Sequence, residues 1–179
     1  MEEIEVPTEH LHEEIQEKAE EQKERWTMYV ALSTAFMAVM AAVAGLLAGH
    51  HANEALIERV KASDQWNYYQ AKNLKSEIAS NTDKILHALA PQAPIEDHTK
   101  DIARYEKEKE AIKAKAEEAE KQSEWHLNRH VPLASAVTAF QIAIAISAIA
   151  ILTRRRKLWY GGILLTLVGL VFLLLGIFP

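Results

Sequence analysis

Three long runs without charged side chains interrupt an otherwise charged chain. No Asp, Glu, Lys or Arg occurs in residues 27–49, 131–153 or 158–179. At a rise of about 1.5 Å per residue, each run is long enough as a helix to cross a hydrocarbon core of about 30 Å. Because an unpaired backbone amide is costly in lipid, each run should be helical throughout. The pattern predicts an all-α integral membrane protein with three transmembrane helices.

The charged segment between the first two runs, residues 50–130, contains no Gly and no Pro before Pro91. Pro91 and Pro94 are its strong helix breakers, so a tip is expected near residues 90–97. The segment therefore predicts a long antiparallel, coiled-coil-like helical hairpin outside the membrane, between the first and second transmembrane helices.

Residues at alternating steps of four and three lie on one face of a helix, so such steps predict which residues of the two arms form the seam between them. On the outgoing arm these steps select Val60, Asp64, Asn67, Ala71, Leu74, Ile78, Asn81, Ile85 and Ala88. On the returning arm they select Ile102, Tyr105, Lys109, Ile112, Ala116, Ala119, Ser123, His126 and His130. So small a seam predicts that neighbouring subunits supply the missing burial.

Charge decides the predicted topology. Residues 1–25 form an acidic polar helix with ten acidic and three basic side chains, within a chain of net charge −5. The spans are then 26–49, 131–153 and 158–179, and the loop 154–157 consists of Arg154, Arg155, Arg156 and Lys157. Short loops rich in Lys and Arg remain cytoplasmic, so the N-terminus is predicted inside and the hairpin and C-terminus outside. The same cluster should contact anionic lipid headgroups, and it indicates no nucleic acid partner.

Small residues recur along all three spans at helix-packing spacing. The glycines expected to pack are Gly45, Gly49, Gly162, Gly169 and Gly176. Such residues let helix backbones approach closely in lipid, where association brings no hydrophobic gain. Three packing faces favour a homo-oligomer, although all three could also pack within one subunit.

The spans carry hydroxyl and amide side chains and no ionisable residue at depth, which argues against a proton-coupled transporter. The candidates are Ser135, Thr138, Gln141 and Ser147. They could line a passive oligomeric pore, or they could join helices by hydrogen bonds. Gln141, near mid-span, needs a hydrogen-bond partner, which could be its own copy across a symmetric interface.

Histidines flank the membrane at both ends of the hairpin. His50 and His51 follow the first span, and His126 and His130 precede the second at a spacing of one helical turn. With Glu54 nearby, they could bind Zn or Cu, form a proton-sensing cluster, or serve as ordinary interfacial polar groups.

Aromatic residues are unusual in the otherwise Ala-, Lys- and Glu-rich outgoing arm. The candidates for interaction are Trp66, Tyr68, Tyr69, Gln70 and Lys72. They predict either an aromatic lock between arms or subunits, or a docking patch for another protein.

With the acidic head and the C-terminal spans, the segment DQWNYYQAKNLKSEIA resembles an uncharacterised bacterial family of small membrane proteins, a domain of unknown function. Its D-x-W-x-x-Y-Q-A-K pattern is matched by Asp64, Trp66, Tyr69, Gln70, Ala71 and Lys72. The resemblance implies a multi-pass protein of the bacterial inner membrane, so the hairpin and C-terminus that the charges place outside would be periplasmic. It supplies no activity and no catalytic residues.

The chain has no Cys and shows no phosphate-binding, nucleophile-elbow or zinc-protease motif, so we expect neither an enzyme nor a cofactor. The favoured function is a homo-oligomeric periplasmic scaffold or interaction module, with an unidentified protein as a further possible partner at the hairpin. The alternatives are an oligomeric ion or small-solute channel with a helical vestibule, and a metal or pH sensor.

Overall fold

The structure, a computed structural model, describes residues 8–89 and 98–178, with side chains from residue 25 onward. Within these ranges the chain forms three helices and no strand: α1 (Thr8–Leu89), α2 (Thr99–Thr153) and α3 (Arg156–Ile177). Each is long and apolar enough to cross a membrane. The prediction of an all-α chain with three such helices is confirmed. The predicted tip near residues 90–97 and the side chains of the acidic head lie outside the described residues.

The chain divides into two compact units. Unit 1 consists of Met1–Ala48 and Val131–Pro179, and unit 2 is Gly49–His130. The helices α1 and α2 contribute to both units, whereas α3 belongs to unit 1 alone.

The core of unit 1 is built from small side chains around one aromatic ring. Phe140 and Met37 are its largest fully buried side chains. Phe140 clusters with Ala44, Ala48, Leu133, Ala136 and Leu173, which come from all three helices. The small residues of α1 and α2 let the helix backbones approach closely, and the few large residues fill the remaining space.

The connection between α2 and α3 is shorter than the predicted four-residue loop. Arg154 takes a left-handed conformation (φ 54°), and the amide of Arg155 donates to the carbonyl of Ala150 at 3.1 Å, which terminates α2. Arg156 already begins α3, so Arg156 and Lys157 lie in its first turn. All four basic side chains are exposed, as a contact with lipid headgroups requires.

Candidate functional site

In unit 2, side chains of α1 and α2 pair along their length. Residues with higher numbers on α1 pair with residues that have lower numbers on the α2 side. The pairs are Ser123 Oγ to Ala55 O (2.9 Å), Trp66 Nε1 to Glu120 Oε1 (3.0 Å), Lys109 Nζ to Asn73 Oδ1 (2.7 Å), Ser76 Oγ to Glu106 Oε1 (3.0 Å) and His98 Nδ1 to Asp83 Oδ1 (2.6 Å). Polar contacts thus join the two helices beside the buried Ala62, Ile112 and Ala116.

The α2 side of this pairing follows the predicted register. All nine predicted positions from Ile102 to His130 are buried or half-buried. Lys109 is the most unusual of them, because its side chain is buried although it carries a charge. Its ammonium donates to Asn73, contacts both carboxylate oxygens of Glu106 at 3.0 Å, and lies 5.5 Å from the centre of the Tyr69 ring. These partners stabilise the charge, and the bond from Lys109 lowers the pKa of Glu106.

The predicted register of the α1 side is wrong. All nine positions from Val60 to Ala88 are exposed. Instead, α1 turns Ala55, Ala62, Tyr69 and Ser76, spaced seven residues apart, toward α2. Alanine and serine allow the helices to approach closely, so that the polar side chains of α2 reach partners on α1.

The large apolar residues of α1 consequently face outward in unit 2. We call Ile57, Val60, Leu74, Ile78 and Ile85 the outer stripe. Each of these side chains is 46–57 % exposed. Their spacing of three and four residues, or multiples of seven, keeps them on one side of the helix.

The aromatic segment divides between the two faces. Trp66 donates to Glu120, its ring lies 5.6 Å from that of Tyr69, and Lys72 pairs with Glu108 at 2.5 Å. This bond raises the pKa of Lys72 and lowers that of Glu108. Trp66, Tyr69 and Lys72 are half-buried, whereas Tyr68 and Gln70 are exposed. The first three are therefore placed to join the arms. The Tyr68 ring lies 5.3 Å from Lys72 Nζ, and a partner at Tyr68 and Gln70 stays a prediction.

Three of the four predicted histidines meet in unit 2. The Nδ1 atoms of His51 and His126 lie 2.9 Å apart, so one imidazole must donate and the other accept. The His50 ring lies 5.3 Å from that of His51, and the Trp125 ring lies 4.7 Å from that of His126. Burial lowers the pKa of His51, and the neighbouring positive groups, His126 first, lower it further.

A metal site at these rings stays a prediction. Among the described residues, no group of three or more His, Asp or Glu side chains is arranged to hold a metal ion. Glu54 and His130 are half-buried, and His130 contributes to the electrostatics of His51. The geometry agrees better with a shared imidazole hydrogen bond than with ligation.

The glycines of α3 pack closely within unit 1. A Cβ atom at Gly162 would lie 2.8 Å from Ser147 Oγ, one at Gly169 would lie 2.8 Å from Phe140 Cε1, and one at Gly176 would lie 2.5 Å from Leu133 Cγ. A Cβ at Gly45 would lie at an ordinary van der Waals distance, 3.9 Å, from Val137 Cγ2, and a Cβ at Gly49 would meet nothing within 4 Å. Gly49 is exposed within one chain, so packing through Gly49 stays a prediction for contacts between copies. The buried α1 positions nearest to these glycines are Ala44 and Ala48, one residue earlier than Gly45 and Gly49.

The predicted polar residues of the second span do not share one face. Ser135 and Thr138 donate back to carbonyls of their own helix, at Val131 and Ala134. Ser147 is buried, with its hydroxyl 4.0 Å from Met37 Sδ, whereas Gln141 is exposed. Within one chain these four side chains do not form a continuous polar path.

The family model described as Domain of unknown function (DUF4337) matches residues 26–179. The chain belongs to this family. The match covers all three apolar runs and the segment between them, and it confirms the resemblance to an uncharacterised family. No curated protein and no solved structure matches the chain.

Membership in the DUF4337 family supplies no activity, so a function has to be argued from the residues themselves. The apolar spacing of the sequence does not predict the polar seam through Asn73, Ser76 and Glu106, because it uses large apolar residues as the signal of burial. The seven-residue spacing of Ala55, Ala62, Tyr69 and Ser76 could have indicated it.

Proposed function

We propose that the protein is a non-enzymatic, homo-oligomeric membrane protein in which unit 2 is an interaction module or scaffold. In this proposal the three apolar helices cross the bacterial inner membrane, with the N-terminus and the basic cluster at Arg154–Lys157 inside. Unit 2 is an antiparallel hairpin on the periplasmic side. The observation that carries the proposal is the outer stripe.

The outer stripe exposes apolar side chains in a segment rich in charge. Full burial of a Val, Leu or Ile side chain contributes about 1.5–3 kcal/mol, so burying the exposed half of five such side chains would contribute about 4–8 kcal/mol per copy. Part of this gain is offset by the entropy lost on association. Confinement to a membrane raises the effective concentration of neighbouring copies and reduces that loss.

A second copy of the chain suits the outer stripe because of its spacing. Apolar residues at alternating three- and four-residue intervals fit between those of a parallel partner helix in a coiled-coil seam. Asn67 and Asn81 lie on the same exposed face. An Asn at such a position can pair with its own copy, which fixes register at some cost in stability.

Disulfide crosslinking in the membrane tests the proposal, and the absence of native Cys makes the assay simple. Leu74→Cys or Ile78→Cys should form disulfide-linked dimers on oxidation, because these positions meet across the interface. Ala114→Cys, exposed on α2, is the matched control and should remain monomeric. Equal crosslinking at positions 74, 78 and 114, or none at any of them, would contradict the proposal.

The alternative functions have weaker support. A channel would require several copies to arrange Gln141 and the hydroxyl residues around one axis, since these residues face different directions in one chain. A pH sensor has some support in the hydrogen bond between His51 and His126, and a metal sensor has none among the described residues. Both alternatives stay predictions.

A further inference from the structure

Most polar side chains of the three apolar runs have hydrogen-bond partners within the chain. The hydroxyls of Ser33, Thr34, Ser135, Thr138, Thr153 and Thr166 donate to carbonyls of their own helices. Ser147 approaches Met37 Sδ. Near the middle of a run, Gln141 differs from these residues, because its side-chain amide makes no hydrogen bond to any described residue and is exposed.

The position of Gln141 makes an unpaired side-chain amide energetically unfavourable. It lies near the middle of the uncharged run 131–153, on the side of α2 opposite to the buried Phe140, Ala143 and Ser147. A lipid-facing amide at this depth has no water with which to form its donor and acceptor bonds. A hydroxyl can donate a hydrogen bond to a backbone carbonyl in the preceding turn of its own helix, but the longer Gln141 side chain does not do so here.

The surroundings of Gln141 allow another helix to approach. Thr138, Ala145 and Ala148 are exposed on the same side of α2, one turn before and one and two turns after Gln141. Their small side chains leave the backbone accessible to close packing. The bulky exposed residues of α3, such as Leu164, do not offer this access.

We propose that Gln141 forms a symmetric hydrogen-bonded pair with Gln141 of a second copy of this chain, with the Thr138–Ala148 face of α2 as the contact. A primary amide carries both donors and an acceptor, so two identical amides related by symmetry satisfy each other. The inference rests on the proposed function, because it assumes a membrane-spanning homo-oligomer. It adds the contact within the bilayer and the residue that fixes it.

Single-cysteine variants in lipid vesicles test this contact. On oxidation, Ala145→Cys should form disulfide-linked dimers, whereas Leu164→Cys, an exposed position on α3, should not. Adding Gln141→Leu to Ala145→Cys should weaken the association about 3- to 30-fold, the range expected for one interhelical hydrogen bond in a membrane. Adding Gln141→Asn should preserve much of it, because an amide remains.

The outcomes separate this inference from the proposed function. Crosslinking at Leu74→Cys without any at Ala145→Cys would overturn the Gln141 contact and leave the oligomer intact. Crosslinking at Ala145→Cys that Gln141→Leu leaves unchanged would show that the helices meet but that the amide pair does not hold them. Loss of crosslinking at both positions would overturn the proposed function itself.

Discussion

Replacing Gly169 by Ala tests the close packing of α3 against α2 in unit 1. A Cβ at this position would lie 2.8, 3.0 and 3.1 Å from three atoms of the Phe140 ring, which is itself fully buried. A rigid ring in a packed core cannot move away as the end of a flexible side chain can. Overpacking of this kind costs about 1–3 kcal/mol.

Gly161→Ala is the matched control. It lies on the same helix, and a Cβ there would meet nothing within 4 Å. Both substitutions gain the preference of a helix for Ala over Gly, about 1 kcal/mol in water. The difference between the two variants removes this common term, so it measures the overpacking alone.

The rate at which a buried thiol reacts measures how often unit 1 opens. Ser147→Cys is a near-isosteric reporter at a fully buried position in a chain without other thiols. If labelling follows local opening, Gly169→Ala should react with a maleimide about 5- to 150-fold faster than Gly161→Ala in the same detergent. Equal labelling rates would refute the packing described for Gly169 and Phe140.

Further predictions concern unit 2 and can be followed by hydrogen exchange. Trp66→Phe removes a donor to the Glu120 carboxylate and should lower protection of the paired helices by about 1.5–3 kcal/mol, whereas Gln70→Ala, at an exposed position, should change it little; equal effects would contradict the assigned roles. The His51 end of unit 2 should lose protection as the pH falls below about 6.5, because the pKa of His51 is lowered from that value and the unfolded chain takes up the proton first. In His51→Asn this pH dependence should shrink, and an unchanged profile would assign it to other groups.

The sequence was sufficient to predict the helices because their signals are strong and local. An uncharged run of membrane-spanning length strongly favours a helix. The nine α2 positions from Ile102 to His130 are buried or half-buried, as their spacing predicts. The glycines of α3 were recognised as packing residues for the same reason. Membrane insertion, topology and oligomeric state stay predictions.

The face of α1 could not be assigned from apolar spacing alone. Leu74 and Ile78 have the stronger apolar signal, yet Tyr69 and Ser76 face α2 because Lys109 and Glu106 need polar partners there. The choice depends on pairing between residues 30 or more positions apart. Likewise, the spacing of the histidines could not distinguish metal ligation from the hydrogen bond between His51 and His126.

The copy number of the protein in lipid nanodiscs, measured by native mass spectrometry, tests the central claim most directly. We expect two or more copies for the natural sequence and a loss of copies when Leu74→Glu and Ile78→Glu place charges on the outer stripe. Ala114→Glu, on an exposed position of α2, should leave the copy number unchanged. A monomer for the natural sequence, or an oligomer that the two charges do not affect, would contradict the assignment of the outer stripe as the interface between copies.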